Sequence, residues 1–222
     1  MLKETTYYVH FKFINRAKDE LINFDGKTAL NQPTGNFFYD PWILKDEYRG
    51  SIWETILNTL EVPQGEARII VLQPGETYMA HADIDDRYHL NISGNNSFLI
   101  DIEKQKMFET ISDGKWYEMD AGRIHAASNY GEIPRAQLVV RKLLKRGKLY
   151  DPVHVTIAPA QSFHDYRYRF DNHISPWLNK INSEKKMDNF QYYGNRVEFD
   201  MEKDLINELT IFNKSIFVVT HV

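Results

Sequence analysis

Apolar positions change their period along this chain, and the change divides it. In residues 7–14, Tyr-Tyr-Val-His-Phe-Lys-Phe-Ile, the alternation predicts a strand, followed by a short helix over Arg16–Asn23. Residues 24–49 read as loop, with Pro33, Gly35 and Pro41 as turn markers. Ser51 and Glu54 have capping-box spacing. Ile52, Trp53, Ile56, Leu57 and Leu60 then share one helical face, and Pro63 and Gly65 stop the helix. From 67 to 142 the period shortens to that of strands, predicted at 67–73, 77–81, 87–92, 97–102, 106–110, 115–119, 123–128 and 135–142. Gly75, Gly94-Asn95, Asp113-Gly114, Gly122 and Gly131 lie between them as turn residues. Eight short strands at this spacing predict a mainly β chain with flanking helices around a double-stranded β-helix, the jelly roll of cupins. The expected layout is an N-terminal flank at 1–66, a core at 67–144 and a C-terminal α/β extension at 145–222, within one domain. The last third reads as strand 196–199, helix 201–212 and strand 215–220, without a predicted place beside the barrel.

Composition narrows the chemistry. The chain has no cysteine, so disulfides, thiolate nucleophiles and zinc–thiolate sites are excluded, and any metal must use His, Asp or Glu. A net charge of -4 argues against a general nucleic-acid binder. The start, Met1–His10, has Lys3 and Glu4 and no long apolar run, which predicts a cytoplasmic protein without a membrane segment.

The candidate chemistry sits in the strand-rich block. His81-Ala82-Asp83 is followed by His125 and, ten residues later, by Arg135. Two imidazoles and a carboxylate can occupy one face of six-coordinate iron(II), leaving positions for a cosubstrate and O2. A guanidinium in the same cavity can grip the far carboxylate of a small keto acid. Any of these residues alone reads as a surface pair or a hydrogen-bonded structural group; their joint placement suggests an iron(II)/2-oxoglutarate oxygenase. Asp85 and Asp86 compete with Asp83 as metal carboxylate. Asp83 is preferred because one residue separates it from His81 and both lie on one side of an extended chain. Arg87, His89 and Asn91 share a strand face, as do Arg135, Gln137 and Val139, which predicts a polar barrel interior. Arg87 and His89 either hold a cosubstrate or substrate carboxylate or form a buried pair with Asp85 or Asp86. Trp116, Tyr117, Tyr78 and Met79 are candidate pocket walls or ordinary core. Arg123 and Asn129 flank the second histidine and are candidates to support it.

The stretch 72–140 resembles the aspartyl/asparaginyl β-hydroxylase family, which includes bacterial free-proline hydroxylases. The resemblance rests on Gln73-Pro74-Gly75, His81-Ala82-Asp83, Arg87-Tyr88-His89-Leu90, Asp120-Ala121-Gly122-Arg123-Ile124-His125 and Arg135. It implies His81, Asp83 and His125 as iron(II) ligands and Arg135 as anchor of the 2-oxoglutarate C5 carboxylate. It implies that Arg87 and His89 hold the cosubstrate near C1 or the substrate's acid group. Animal members that modify proteins have glycine in place of the metal carboxylate and carry a membrane anchor. Asp83 departs from that pattern. A serine that helps hold C5 in some members has no counterpart in Ile69-Ile70-Val71. The expected activity is hydroxylation of an amino acid or peptidyl residue, with a carboxylate-bearing small-molecule or peptide substrate favoured by Arg87. Succinate and CO2 are the expected coproducts. The competing expectations are a metal-dependent cupin isomerase or ring-cleaving dioxygenase that does not use 2-oxoglutarate, and a non-catalytic jelly-roll binding protein. The flanks are expected to supply a lid, substrate walls or a dimer contact.

Overall fold

The computed structural model describes residues 1–160, 166–212 and 217–222, with backbone alone at 166–169 and 211. The N-terminal flank contains β1 (Leu2–Tyr8), α1 (Phe11–Glu20), β2 (Lys27–Ala29), β3 (Asn31–Pro33), β4 (Trp42–Leu44) and α2 (Ile52–Leu57). The predicted core strands follow as β5 (Gln64–Leu72), β6 (Thr77–His81), β7 (Arg87–Ser93) and β8 (Ser97–Asp101). They continue as β9 (Lys106–Glu109), β10 (Lys115–Met119), β11 (His125–Asn129) and β12 (Arg135–Lys142). The C-terminal part holds β13 (Pro152–Pro159), α3 (Tyr166–His173), α4 (Ser175–Ser183), β14 (Met187–Tyr192), β15 (Val197–Glu202) and β16 (Phe217–His221).

Core strands divide between two antiparallel sheets, ordered β1-β10-β7-β12-β5-β2 and β6-β11-β8-β9. The predicted jelly roll is therefore present, widened by β1 and β2 from the flank. Even-numbered residues of the central strands, among them Tyr88, Leu90, Ile92, Ala136, Leu138 and Val140, join a core with Ile14, Ala17, Ile52, Trp53 and Ile56 of α1 and α2. Their odd-numbered neighbours on these strands face the opposite side of the sheet.

Three local expectations are corrected. Residues 7–14 are not one strand: β1 ends at Tyr8 and α1 begins at Phe11. His10 caps that helix, its Nδ1 accepting from the Lys12 N–H at 3.2 Å, and Ile14 and Ala17 are buried at helical spacing. The segment 24–49 carries three short strands. The cap of α2 differs slightly from a capping box. Ser51 Oγ accepts from the Trp53 N–H at 3.1 Å, while Glu54 accepts from Gly50 rather than from Ser51, at 2.6 Å.

By internal contacts the chain forms two compact units: residues 1–80 with 85–143, and residues 144–222 with the short segment 81–84. The second is a four-stranded antiparallel sheet, β14-β15-β13-β16, with a core that includes Trp177, Phe190, Phe199 and Phe217. The predicted strand at 196–199 runs on to Glu202, and the predicted helix is 3-10 turns over Lys203–Ile211. The predicted last strand is present from Phe217, its positions 215 and 216 lying outside the described residues. No helix among the described residues is long and apolar enough to cross a membrane.

Candidate metal centre

His81 is the last residue of β6, Asp83 follows in the turn, and His125 is the first residue of β11. β6 and β11 are neighbours in one sheet, so two ends that lie far apart in sequence meet. One ligand atom from each of His81, Asp83 and His125 lies within 4.8 Å of the others, the one such His/Cys/Asp/Glu group found among the described residues. The His81 Nε2 to Asp83 Oδ2 distance is 3.9 Å. The turn carrying Asp83 is tied down by Ala82 N–H donating to the Asp171 carbonyl at 3.2 Å. Asn179 Nδ2 also donates to the Ile84 carbonyl at 3.3 Å.

His125 is buried, and its Nδ1 lies 2.7 Å from the Arg123 carbonyl oxygen. A carbonyl only accepts, so Nδ1 carries the proton and Nε2 holds the lone pair that a metal needs. Arg123 thus supports His125 through its backbone, while its side chain pairs with Asp101 at 2.9 Å. Two neutral imidazole nitrogens and one carboxylate oxygen suit iron(II) as a donor set.

The competing carboxylates are committed elsewhere. Asp85 is buried and takes Arg141 in a two-point clasp, Nε and Nη2 both at 2.7 Å, with Arg87 at 3.2 Å. Asp86 Oδ1 accepts from the Ala121 N–H at 3.3 Å. Arg87 therefore realises the ion-pair alternative. Arg141 was missed in the sequence, though it shares strand parity with Arg135 and could have been found by extending that face.

Arg135 opens β12 and is 1% exposed. One guanidinium nitrogen, Nη2, donates to Gln137 Oε1. Nε and Nη1 are buried without a hydrogen-bond partner among the described residues. Burial pulls its pKa down to about 10, partly offset by the nearby Tyr78. Its approach is fixed by the backbone. Gly94 has φ +139, and a Cβ there would stand 3.4 Å from Arg135 Cα. Asn129 braces the preceding turn, Nδ2 donating to the carbonyls of Leu72 at 3.0 Å and Ile133 at 2.9 Å. Asn129 thus organises the approach to Arg135; the bonds it makes do not include one to His125.

His89, Asn91 and Gln137 are buried on the strand face that parity predicted. Together with Leu99, Phe108, Ile111, Tyr117 and other residues they line a cavity of about 290 Å³. His89 has its pKa lowered to about 3, first by burial and then by Arg135. Of the candidate pocket walls, Tyr117 lines this cavity. Tyr78 packs beside Leu72 and Leu99, Met79 is mostly exposed, and Trp116 is buried in the helix-side core. The Trp116 indole N–H donates to Thr59 Oγ1 at 3.0 Å.

Comparison with known families reaches the same stretch of chain. Residues 51–143 match the family model for aspartyl/asparaginyl beta-hydroxylase. This match supports an enzyme of the hydroxylase kind, and it covers both histidines, Asp83 and Arg135. Among solved structures, the chain is similar to CapF crystallised with the inhibitor 3-isopropenyl-tropolone. That similarity has 15% identity over 37% of this chain and 25% of that one, TM-score 0.30. It is also similar to a sugar phosphate isomerase from a cupin superfamily, from Silicibacter pomeroyi. Here identity is 17% over 44% of this chain and 58% of that one, TM-score 0.30. The chain thus spans a quarter to somewhat over half of these structures' length. No curated protein matches it.

Proposed function

We propose that the protein is an iron(II)/2-oxoglutarate-dependent dioxygenase that hydroxylates an unactivated C–H of an amino acid or peptidyl residue. The observation that carries this reading is Arg135, a buried cation with two unpartnered nitrogens, on a scaffold that also gathers His81, Asp83 and His125. A buried, half-satisfied guanidinium is costly unless an anion completes it. A diacid that chelates a metal at one end and presents a carboxylate at the other answers both features. Neither a metal-only cupin enzyme nor a passive binding protein gives Arg135 that role.

Iron(II) and the keto acid, when bound, supply the oxidising chemistry with O2, releasing succinate and CO2 as an alcohol forms. The chain's own part is to hold and orient. His81, Asp83 and His125 would hold the metal, and the Arg123 carbonyl keeps His125 in its metal-binding tautomer. Arg135 would fix the diacid's distal end. Arg87 is compensated by Asp85, so its charge no longer argues for a carboxylate-bearing substrate.

The test is anaerobic addition of iron(II) and 2-oxoglutarate, separately and together, followed by absorption spectroscopy and calorimetry. A charge-transfer band that needs both, and is lost in Arg135→Ala, is expected. Metal uptake with no 2-oxoglutarate binding in the wild type would refute the reading and favour a cupin metalloenzyme of another kind.

A further inference from the structure

Four buried polar side chains, Arg135 among them, form a relay whose direction is fixed from both ends. Arg135 Nη2 bonds Gln137 Oε1, and Gln137 Nε2 bonds Asn91 Oδ1. Asn91 Nδ2 then donates to the main-chain carbonyl of Ile111 at 3.1 Å. A guanidinium has no acceptor and a carbonyl has no donor, so neither amide can be turned round. Gln137 Oε1 also lies 3.4 Å from His89 Nδ1. Because that oxygen only accepts, His89 must carry its proton on Nδ1. Its Nε2 is then a bare lone pair, buried and without a hydrogen-bond partner.

We propose that Gln137 is the positioning residue that sets the polarity of the barrel interior. It holds the Arg135 guanidinium toward an acid and, through the same oxygen, makes His89 a hydrogen-bond acceptor. The first half deepens the function proposed above and rests on it. The second half does not. A carboxylate gains nothing from a bare Nε2, so in this tautomer His89 faces a ligand group that donates, an N–H or O–H. This differs from the acid-holding role that the family resemblance implies for His89. The polarity follows from one amide: glutamate at 137 would place a carboxylate against Arg135 and meet its demand internally, and leucine would release both partners.

The experiment uses the full chain with Gln137→Leu and Gln137→Glu, each checked for a cooperative melt. With manganese(II) under anaerobic conditions, calorimetry measures 2-oxoglutarate and pyruvate, which lacks the distal carboxylate. Both variants should bind 2-oxoglutarate at least about tenfold more weakly, the loss of one charge-assisted hydrogen bond, with pyruvate changed less than about threefold. In metal-free protein, ¹⁵N spectra of the histidine rings should show Nδ1–H at His89 in the wild type. They should show that tautomer depleted in Gln137→Leu. Unchanged 2-oxoglutarate binding in both variants would overturn the anchoring half, and an unchanged His89 tautomer would overturn the other. If the wild type binds no 2-oxoglutarate, the proposed function fails, and the tautomer spectra alone decide what Gln137 does. If Gln137→Leu does not fold, Gln137→Met replaces it in both measurements.

Discussion

Replacing Arg135 with methionine should stabilise the ligand-free protein while removing its acid anchor. The folded state depresses the arginine pKa well below its ordinary value, to about 10, mainly by burial. Each pKa unit is worth about 1.4 kcal/mol, so holding this charge costs the native state about 3 kcal/mol. Between about 10 and the ordinary arginine value the unfolded chain binds more protons, so stability rises with pH there, and the penalty is fully present at neutral pH. Methionine keeps an unbranched chain but loses the bond to Gln137 Oε1, worth about 2 kcal/mol because its donor is charged. The net gain is on the order of 1 kcal/mol. Urea unfolding at neutral pH, without metal or keto acid, reads it as a higher midpoint at unchanged m-value. The same substitution should weaken 2-oxoglutarate binding by about 2–5 kcal/mol, a loss of thirtyfold or more. A variant less stable than the wild type by about 1 kcal/mol or more would refute the reasoning. It would mean that Arg135 is a satisfied structural residue and not a cation held in wait for an anion.

Three other outcomes follow from the same geometry. Asp83→Ala and His125→Ala should each weaken manganese(II) or iron(II) binding at least about tenfold by calorimetry, with little change in the far-UV spectrum; retained affinity in both would remove the metal assignment. Asp85→Ala leaves buried Arg87 and half-buried Arg141 without their shared carboxylate, and should cost about 3–5 kcal/mol in urea unfolding. His89, depressed to about 3 by burial and by Arg135, binds no proton in the native state between about 3 and its unfolded value of 6.5. Stability should therefore fall as pH drops through that window, by up to about 1.4 kcal/mol per pH unit from this residue, and His89→Gln should flatten the slope.

The barrel was legible because its signal is local. Alternating residues in 67–142 can satisfy only one sheet face at a time, so each strand announces itself, and glycines mark the turns. The His81, Asp83 and His125 group was legible for a related reason: His81 and Asp83 sit at a strand end, and His125 opens a strand after a turn. The flanks were harder. In 7–14 the apolar residues fit a strand, but His10 caps a helix whose buried residues, Ile14 and Ala17, are only two. In the C-terminal unit, β13 opens and closes with proline, at Pro152 and Pro159, and β14 is bulged against β15 between Asp188 and Gln191. The terminal prolines mask the alternation of Val153, Val155 and Ile157 in β13, and the bulge breaks that of β14.

Parity alone also could not say which charges cancel. It placed Arg87 and Arg135 on the same kind of inward face and so gave both the look of an anion site. The register separates them. Arg87 stands opposite Arg141, and both reach Asp85 from neighbouring strands, so a single carboxylate answers two cations. Arg135 stands opposite Leu72 on one side. On the other, β7 carries an irregularity that shifts the pairing between Ala136 and Gln137, leaving Arg135 outside the regular β7 ladder. Among the described residues no carboxylate reaches it, and its side-chain hydrogen bond is to a neutral amide. The same residue type on the same face is a structural brace at one end of the barrel and an unmet charge at the other. That difference, a matter of what lies across the ladder, makes Arg135 the residue on which the proposed acid ligand would depend.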